Sequence, residues 1–291
     1  MSTGTAGTDS PTGTGTGTSA PPGTGEGAAF PLPRHPRTYE VTQARVLRSE
    51  WHKLWSVRST WITLLTASAL TLAIGLTMGA TYGTEGDDAG LDTVIMTLIG
   101  IQLAQIAYVV LGILVTAGEY GTGMVRASMT AVPRRLPALW AKAAVFAAVV
   151  LAVALATAFA TFLGAQLFLA GTGQQASLGD PGIARGLAGN AVGLTLLGLL
   201  ALGLGASTRS VPAAIGAVVG GVMILPEVLG MLPYDFVGNA VRYFPIRALD
   251  AVTSARPIPD AASPGAALLA LALWAAGSLA LAALTLRRRD V

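Results

Sequence analysis

Residues 118–142 read "GEYGTGMVRASMTAVPRRLPALWAK", a charged stretch with two prolines set between two long apolar runs. It holds Glu119, Arg126, Arg134, Arg135 and Lys142 in a chain that is 53% hydrophobic and only 11% charged, with a mean hydropathy of +0.63. A soluble domain carries about 25% charged residues. The deficit places the chain among polytopic membrane proteins. The stretch then reads as a short polar connection between two membrane spans, and the fold follows from counting such spans on either side of it.

A hydrocarbon core of about 30 Å takes about 20 apolar residues in helical form. Six segments qualify: Thr60–Tyr82, Thr93–Gly118, Ala138–Ala170, Leu187–Ala206, Val211–Leu232 and Gly265–Leu286. The third exceeds one crossing and is expected to tilt or project. The fifth contains Pro212, Gly220, Gly221, Pro226 and Glu227, which predict a broken or kinked helix. In spans four and five the small residues, among them a Gly216–Gly220 pair at GxxxG spacing, allow close helix approach.

Ahead of the first span lies "YEVTQARVLRSEWHKLWSVRSTW", residues 39–61. Ala44, Leu47, Trp51, Leu54 and Trp55 recur at helical spacing, with Arg45, Arg48, Lys53 and Arg58 between them. Glu50 stands three residues before Lys53, a supportive helical pair. This pattern predicts an interfacial amphipathic helix over 39–59, with membrane lipid as its partner and Trp61 at the bilayer edge. Residues 1–38, including "TGTGTGTSAPPGTGEG", are Gly-, Thr- and Pro-rich and predict a disordered tail without the marks of a signal peptide. The expected architecture is an all-α polytopic membrane protein of six transmembrane helices over 60–291, with a loop at 119–137.

Basic residues set the orientation. With the N-terminus in the cytoplasm, fourteen of the eighteen basic residues fall inside, and only Arg185, Arg242, Arg247 and Arg256 fall outside. The first outer loop then carries Glu85, Asp87, Asp88 and Asp92 without a basic residue. Both termini, and the loop at 119–137, are expected in the cytoplasm. The net charge of +3 and pI near 9.5 do not point to nucleic acid, because the basic residues flank apolar segments.

Several chemistries lack their residues. There is no cysteine, so disulfides, cysteine-ligated zinc and thiol nucleophiles are excluded. The two lysines, Lys53 and Lys142, follow His52 and Ala141, so no G-x-x-x-x-G-K-[ST] phosphate loop exists. The two histidines, His35 and His52, both precede the first span, which removes an H-E-x-x-H metal site and an intramembrane Ser/His dyad. No catalytic residue, metal or cofactor is expected, and the chain is not expected to be an enzyme. Polar residues inside spans are costly and draw attention: Gln102, Gln105 and Tyr108 in span two are candidates to line a pathway or an interface, beside Gln166, Asn190, Thr195 and Glu227. No intramembrane network of acids and arginines is visible.

The 118–142 stretch resembles the loop between spans two and three of type-2 ABC exporter permeases. In that family a glutamate ends span two, a Gly-Thr turn follows, then a short coupling helix, a Pro-Arg-Arg-like stretch and a lysine entering span three. The matching residues are Glu119, Gly121 or Gly123 with Thr122, the segment Met124–Thr130, Pro133-Arg134-Arg135 and Lys142. "RSEWHKLWSVRSTWITLL" is similar to the family's connecting helix, with Glu50, Lys53, Arg58 and Trp61 in place. "VRYFPIRALDAV", residues 241–252, resembles the outer segment before span six, where a short re-entrant turn is expected; Ile246-Arg247 stand where small polar residues are common.

The resemblance implies the permease subunit of an ATP-driven exporter in the plasma membrane. A second permease subunit, identical or not, and a cytoplasmic ABC ATPase would be its partners. Glu119, Thr122, Met124, Val125, Arg126, Met129, Thr130, Pro133 and Arg134 would form the ATPase-coupling surface, and Glu119 with Arg58 would tie span two to the connecting helix. The alternative is a non-transporting membrane scaffold or sensor that anchors a cytoplasmic partner through the same loop. A secondary carrier would need a repeated half and buried charges, and neither is visible.

Overall fold

The computed structural model describes residues 42–85, 92–121, 135–173 and 175–288. The tail at 1–38, with residues 39–41, and Thr122, Met124, Val125, Arg126, Met129, Thr130, Pro133 and Arg134 of the loop lie outside the described residues. Among the described residues the regular structure is entirely helical, and six helical stretches are long and apolar enough to cross a membrane. The chain is an all-α multi-pass membrane protein, with one helix ahead of the first span.

That preceding helix, α1 (Gln43–Ser56), stops at Val57, where the backbone turns extended before α2 (Arg58–Glu85) begins. Its inward face is Val46, Glu50 and Leu54, spaced four residues apart and so stacked on one side. The apolar stripe expected from the sequence divides differently: Leu54 goes inward, while Leu47, Trp51 and Trp55 stay exposed on the outer side. The tryptophans form a row across the helix junction, with ring centroids 5.5 Å apart for Trp51–Trp55 and 4.0 Å for Trp55–Trp61. Trp61 also donates its indole N–H to the Trp55 carbonyl at 3.2 Å, which fixes the bend between α1 and α2.

Span two is not the continuous helix expected from Thr93 to Gly118. A short helix α3 (Thr93–Thr97) is followed by a turn at 98–100, and the span proper is α4 (Ile101–Gly121). The Asp92 carboxylate caps α3 by accepting from the amides of Val94 and Ile95, a substitute for bonds the first turn of a helix lacks. At the turn, Gly100 abuts α2: a Cβ there would stand 2.9 Å from the Thr71 Cα. The break lets the chain cross α2 at that close point.

Span three is α5 (Arg135–Leu169), 35 residues. At 1.5 Å per residue it extends about 52 Å, longer than one crossing of about 30 Å needs. Span four is α6 (Ile183–Thr208), and it forms the centre of the bundle, packing against α4, α5 and the last span. Leu187, Leu194, Leu197, Leu200 and Leu202 are fully buried along it. Glycine permits the approach: a Cβ on Gly112 of α4 would collide with the Gly198 carbonyl of α6. The Gly216–Gly220 pair of span five takes no part in such packing, since nothing lies within 4 Å of either added Cβ.

Span five breaks as expected. It runs as α7 (Val211–Val218), a π-helical stretch Val219–Ile224 and α8 (Leu225–Gly230). Pro226 cannot donate to the carbonyl four residues back, and the widened turn ahead of it accommodates that loss. Two short helices follow, α9 (Asp235–Val241) and α10 (Pro245–Thr253), before span six, α11 (Pro264–Arg288). The Trp274 indole donates to the Tyr243 carbonyl at 3.1 Å. Trp274 lies ten residues into α11, about 15 Å along its axis. The α9–α10 turn therefore lies alongside the last span.

Candidate functional site

Glu50 faces inward on α1 with only 5% of its surface exposed. A carboxylate in that position needs partners, because an unpaired buried charge is expensive. It has two. Oε1 accepts from Lys53 Nζ at 2.7 Å, one turn on in the same helix, and Oε2 accepts from Lys142 Nζ at 2.7 Å on α5. Lys142 Nζ also donates to Glu119 Oε1 at 2.7 Å, at the end of α4, and Lys53 approaches the same oxygen at 3.9 Å. Both lysines of the chain are thus spent on one cluster with two glutamates, drawn from three helices.

Burial pushes the Glu50 carboxyl upward, and the Lys142 and Lys53 ammonium groups outweigh that, holding it below its ordinary value of 4.5. The group is a carboxylate at neutral pH. A cavity of about 360 Å³ adjoins the cluster, with Glu50, Lys53, Glu119 and Lys142 on its polar side and Leu54 and Leu111 on its apolar side.

Glu119 sits two residues before the end of α4, and Lys142 sits two turns inside α5. The residues between these helices are 122–134, so the cluster closes the two ends of that loop onto each other and onto α1. A second clamp sits beside it. The Arg209 guanidinium lies 5.4 Å from the centre of the Tyr120 ring, a cation–π contact between the ends of α4 and α6.

Of the residues expected to matter, Glu50, Lys53 and Glu119 meet in one place. Arg58 does not join them: it is exposed on the first turn of α2, and the described ion pairs of Glu119 run to Lys142 and Lys53. The reason is geometric. Arg58 follows the break at Val57 and so lies on α2, not on the α1 face where Glu50 and Leu54 pack. The sequence marked Lys142 only as the lysine entering span three; the fold makes it the centre of the cluster.

Gln102 and Gln105 stay together, and Tyr108 parts from them. Tyr108 is buried in the core of the chain. Gln105 is buried and donates to Gln102 at 3.0 Å, and exposed Gln102 donates to Asp250 Oδ1 at 3.4 Å. Asp250 belongs to α10, as does Arg247, whose guanidinium pairs with Glu227 of span five at 2.8 Å. Acidic and basic side chains therefore gather beside spans two and five. The returning α9–α10 segment carries Arg247 and Asp250 back to spans two and five, a long-range event with no sequence signature. Asp92 locks the same segment, accepting from the Ser254 hydroxyl at 2.7 Å and the Arg256 amide at 2.7 Å.

Compared with known proteins, the chain matches no family model and no curated protein.

Proposed function

We propose that the chain is the permease subunit of an ATP-driven exporter, coupled to a separate cytoplasmic ATPase through residues 119–137. The observation that carries this reading is the Glu50–Lys53–Glu119–Lys142 cluster, which joins both ends of that loop to α1 through ion pairs of 2.7 Å. A force applied to the loop reaches α4, α5 and α1 together rather than bending one helix alone. The motif resemblance supplies the kind of partner, and the reading assigns ATP hydrolysis to that partner, in keeping with a sequence that holds no phosphate loop. The bias of basic residues puts the loop and both termini in the cytoplasm of a plasma-membrane protein. A second permease subunit completes the assembly.

The test is co-purification with a P-loop ATPase encoded beside this chain, followed by ATP hydrolysis in liposomes. Replacing Met124–Thr130 with glycine and serine is expected to leave the six-span fold intact and to remove the control this subunit exerts on hydrolysis. If that variant binds the ATPase and supports transport as the unaltered chain does, the coupling role is refuted. Capture of a soluble partner without any ATP dependence favours the scaffold instead.

A further inference from the structure

Arg242 and Tyr243 are consecutive at the α9–α10 turn, and each borders a different cavity. Tyr243 borders an apolar groove of about 750 Å³ between α6, the π-helical stretch and α11, walled by Leu200, Val222, Leu273, Trp274 and Leu281. Its wall on α11 runs from Ala266 to Leu281. That is about 22 Å along the axis, longer than one leaflet's share of about 15 Å of hydrocarbon. Arg242 borders a polar cleft of about 250 Å³ whose other charged walls are Arg247, Asp250 and Asp260.

The cleft has two features that its own residues leave unanswered. Arg242 Nε is buried and meets no hydrogen-bond acceptor among the described residues. A buried donor left unmet is unfavourable, so an acceptor entering the cleft beside Arg242 is favoured. Asp260, exposed at the rim, has φ of +60°, a left-handed conformation uncommon outside glycine. Arg247 pairs with Glu227 and Asp250 accepts from Gln102, which leaves Arg242 and Asp260 as the cation and the carboxylate that match a ligand with both charges, not a simple anion.

We propose that groove and cleft form one site for a phospholipid with a zwitterionic headgroup that ends in a primary ammonium. The acyl chain lies along α11, the phosphate accepts from Arg242, and the ammonium meets Asp260. The Arg242–Tyr243 pair, with the guanidinium 5.1 Å from the ring centre, joins the two halves. A soluble zwitterion leaves the groove unused, and a lipid with only negative charge faces the Asp260 carboxylate.

The experiment is native mass spectrometry of the full chain in detergent, with dioleoyl phosphatidylethanolamine, phosphatidylcholine or phosphatidylglycerol added at equal concentration. The expected result is one ethanolamine lipid retained under activation that strips the other two. Arg242→Gln is expected to weaken that retention about tenfold, the loss of one charge-assisted contact. Gly277→Trp fills the groove, at a position with nothing within 4 Å of an added Cβ, and is expected to weaken it as well. Asp260→Asn, at the exposed rim, gives a second headgroup variant where Arg242→Gln does not fold. Leu65→Trp, on an exposed face of α2, is expected to retain the lipid normally. Equal retention of the three lipids overturns the proposal. So does a preference for the glycerol lipid, or ethanolamine binding that is indifferent to both the headgroup and the groove variants.

Discussion

Lys142→Met removes the cation at the centre of the inner cluster and keeps most of its volume. Two contacts of 2.7 Å disappear, one to Glu50 and one to Glu119. The Lys142 side chain is 11% exposed and that of Glu50 6%, so water does not replace what is lost. Glu50 retains only Lys53, whose side chain is 34% exposed and whose pairing is therefore worth little, about 0–1 kcal/mol. Breaking a buried pair by removing one partner costs about 3–5 kcal/mol. At about 3 °C per kcal/mol, the thermal midpoint is expected to fall roughly 10 °C. Removing both partners is gentler, because no buried charge is stranded. Glu50→Leu with Lys142→Met is expected to recover more than half of the loss. The assay is reversible unfolding in detergent followed by circular dichroism, with the two single variants and the double variant forming a cycle. A coupling energy under about 0.5 kcal/mol, or a Lys142→Met midpoint equal to that of the unaltered chain, would show that the cluster does not hold the three helices together.

The cluster also predicts an acid limb. Because the folded-state pKa of Glu50 lies below its ordinary 4.5, its contribution to stability is complete above that value and disappears as pH falls through the folded value. Unfolding midpoints measured on either side of pH 4.5 should therefore steepen downward on the acid side, and Glu50→Gln should flatten that limb. Gly112→Ala forces a Cβ against the Gly198 carbonyl and is expected to cost about 1–3 kcal/mol, whereas Gly216→Ala meets nothing and should be neutral or gain up to about 1 kcal/mol of helix propensity; equal midpoints for the two would refute the packing account of α6. Asp92→Ala removes a helix cap and two contacts to residues 254–256, for an expected loss of about 2–3 kcal/mol and faster amide exchange at Val94, Ile95 and Arg256. The Arg247–Glu227 pair has side chains 45% and 56% exposed, so charge removal at either end should change stability by no more than about 1 kcal/mol.

The six spans, the helix ahead of them, the length of span three and the break in span five were legible in the sequence. Each is a local property. Apolar length sets a span, and a proline after paired glycines disturbs the helix that carries it. The glutamates and lysines of the inner cluster were also visible as residues, but their pairing was not. Glu50 and Lys142 stand 92 positions apart, and which cation reaches Glu119 at the end of α4 depends on how α1, α2 and α5 pack around it. That packing brought Lys142 of α5 to Glu119 and left Arg58 of α2 exposed. The outer side shows the same division. A turn at 241–252 was expected only through the family resemblance, and the meeting of Gln102 with Asp250 and of Glu227 with Arg247 required that segment to fold back between spans distant in sequence. Hydropathy determined what enters the membrane, since transfer free energy accumulates residue by residue along one helix. Which charges face one another was decided only by tertiary packing, because an ion pair depends on a distance between helices that no single helix contains.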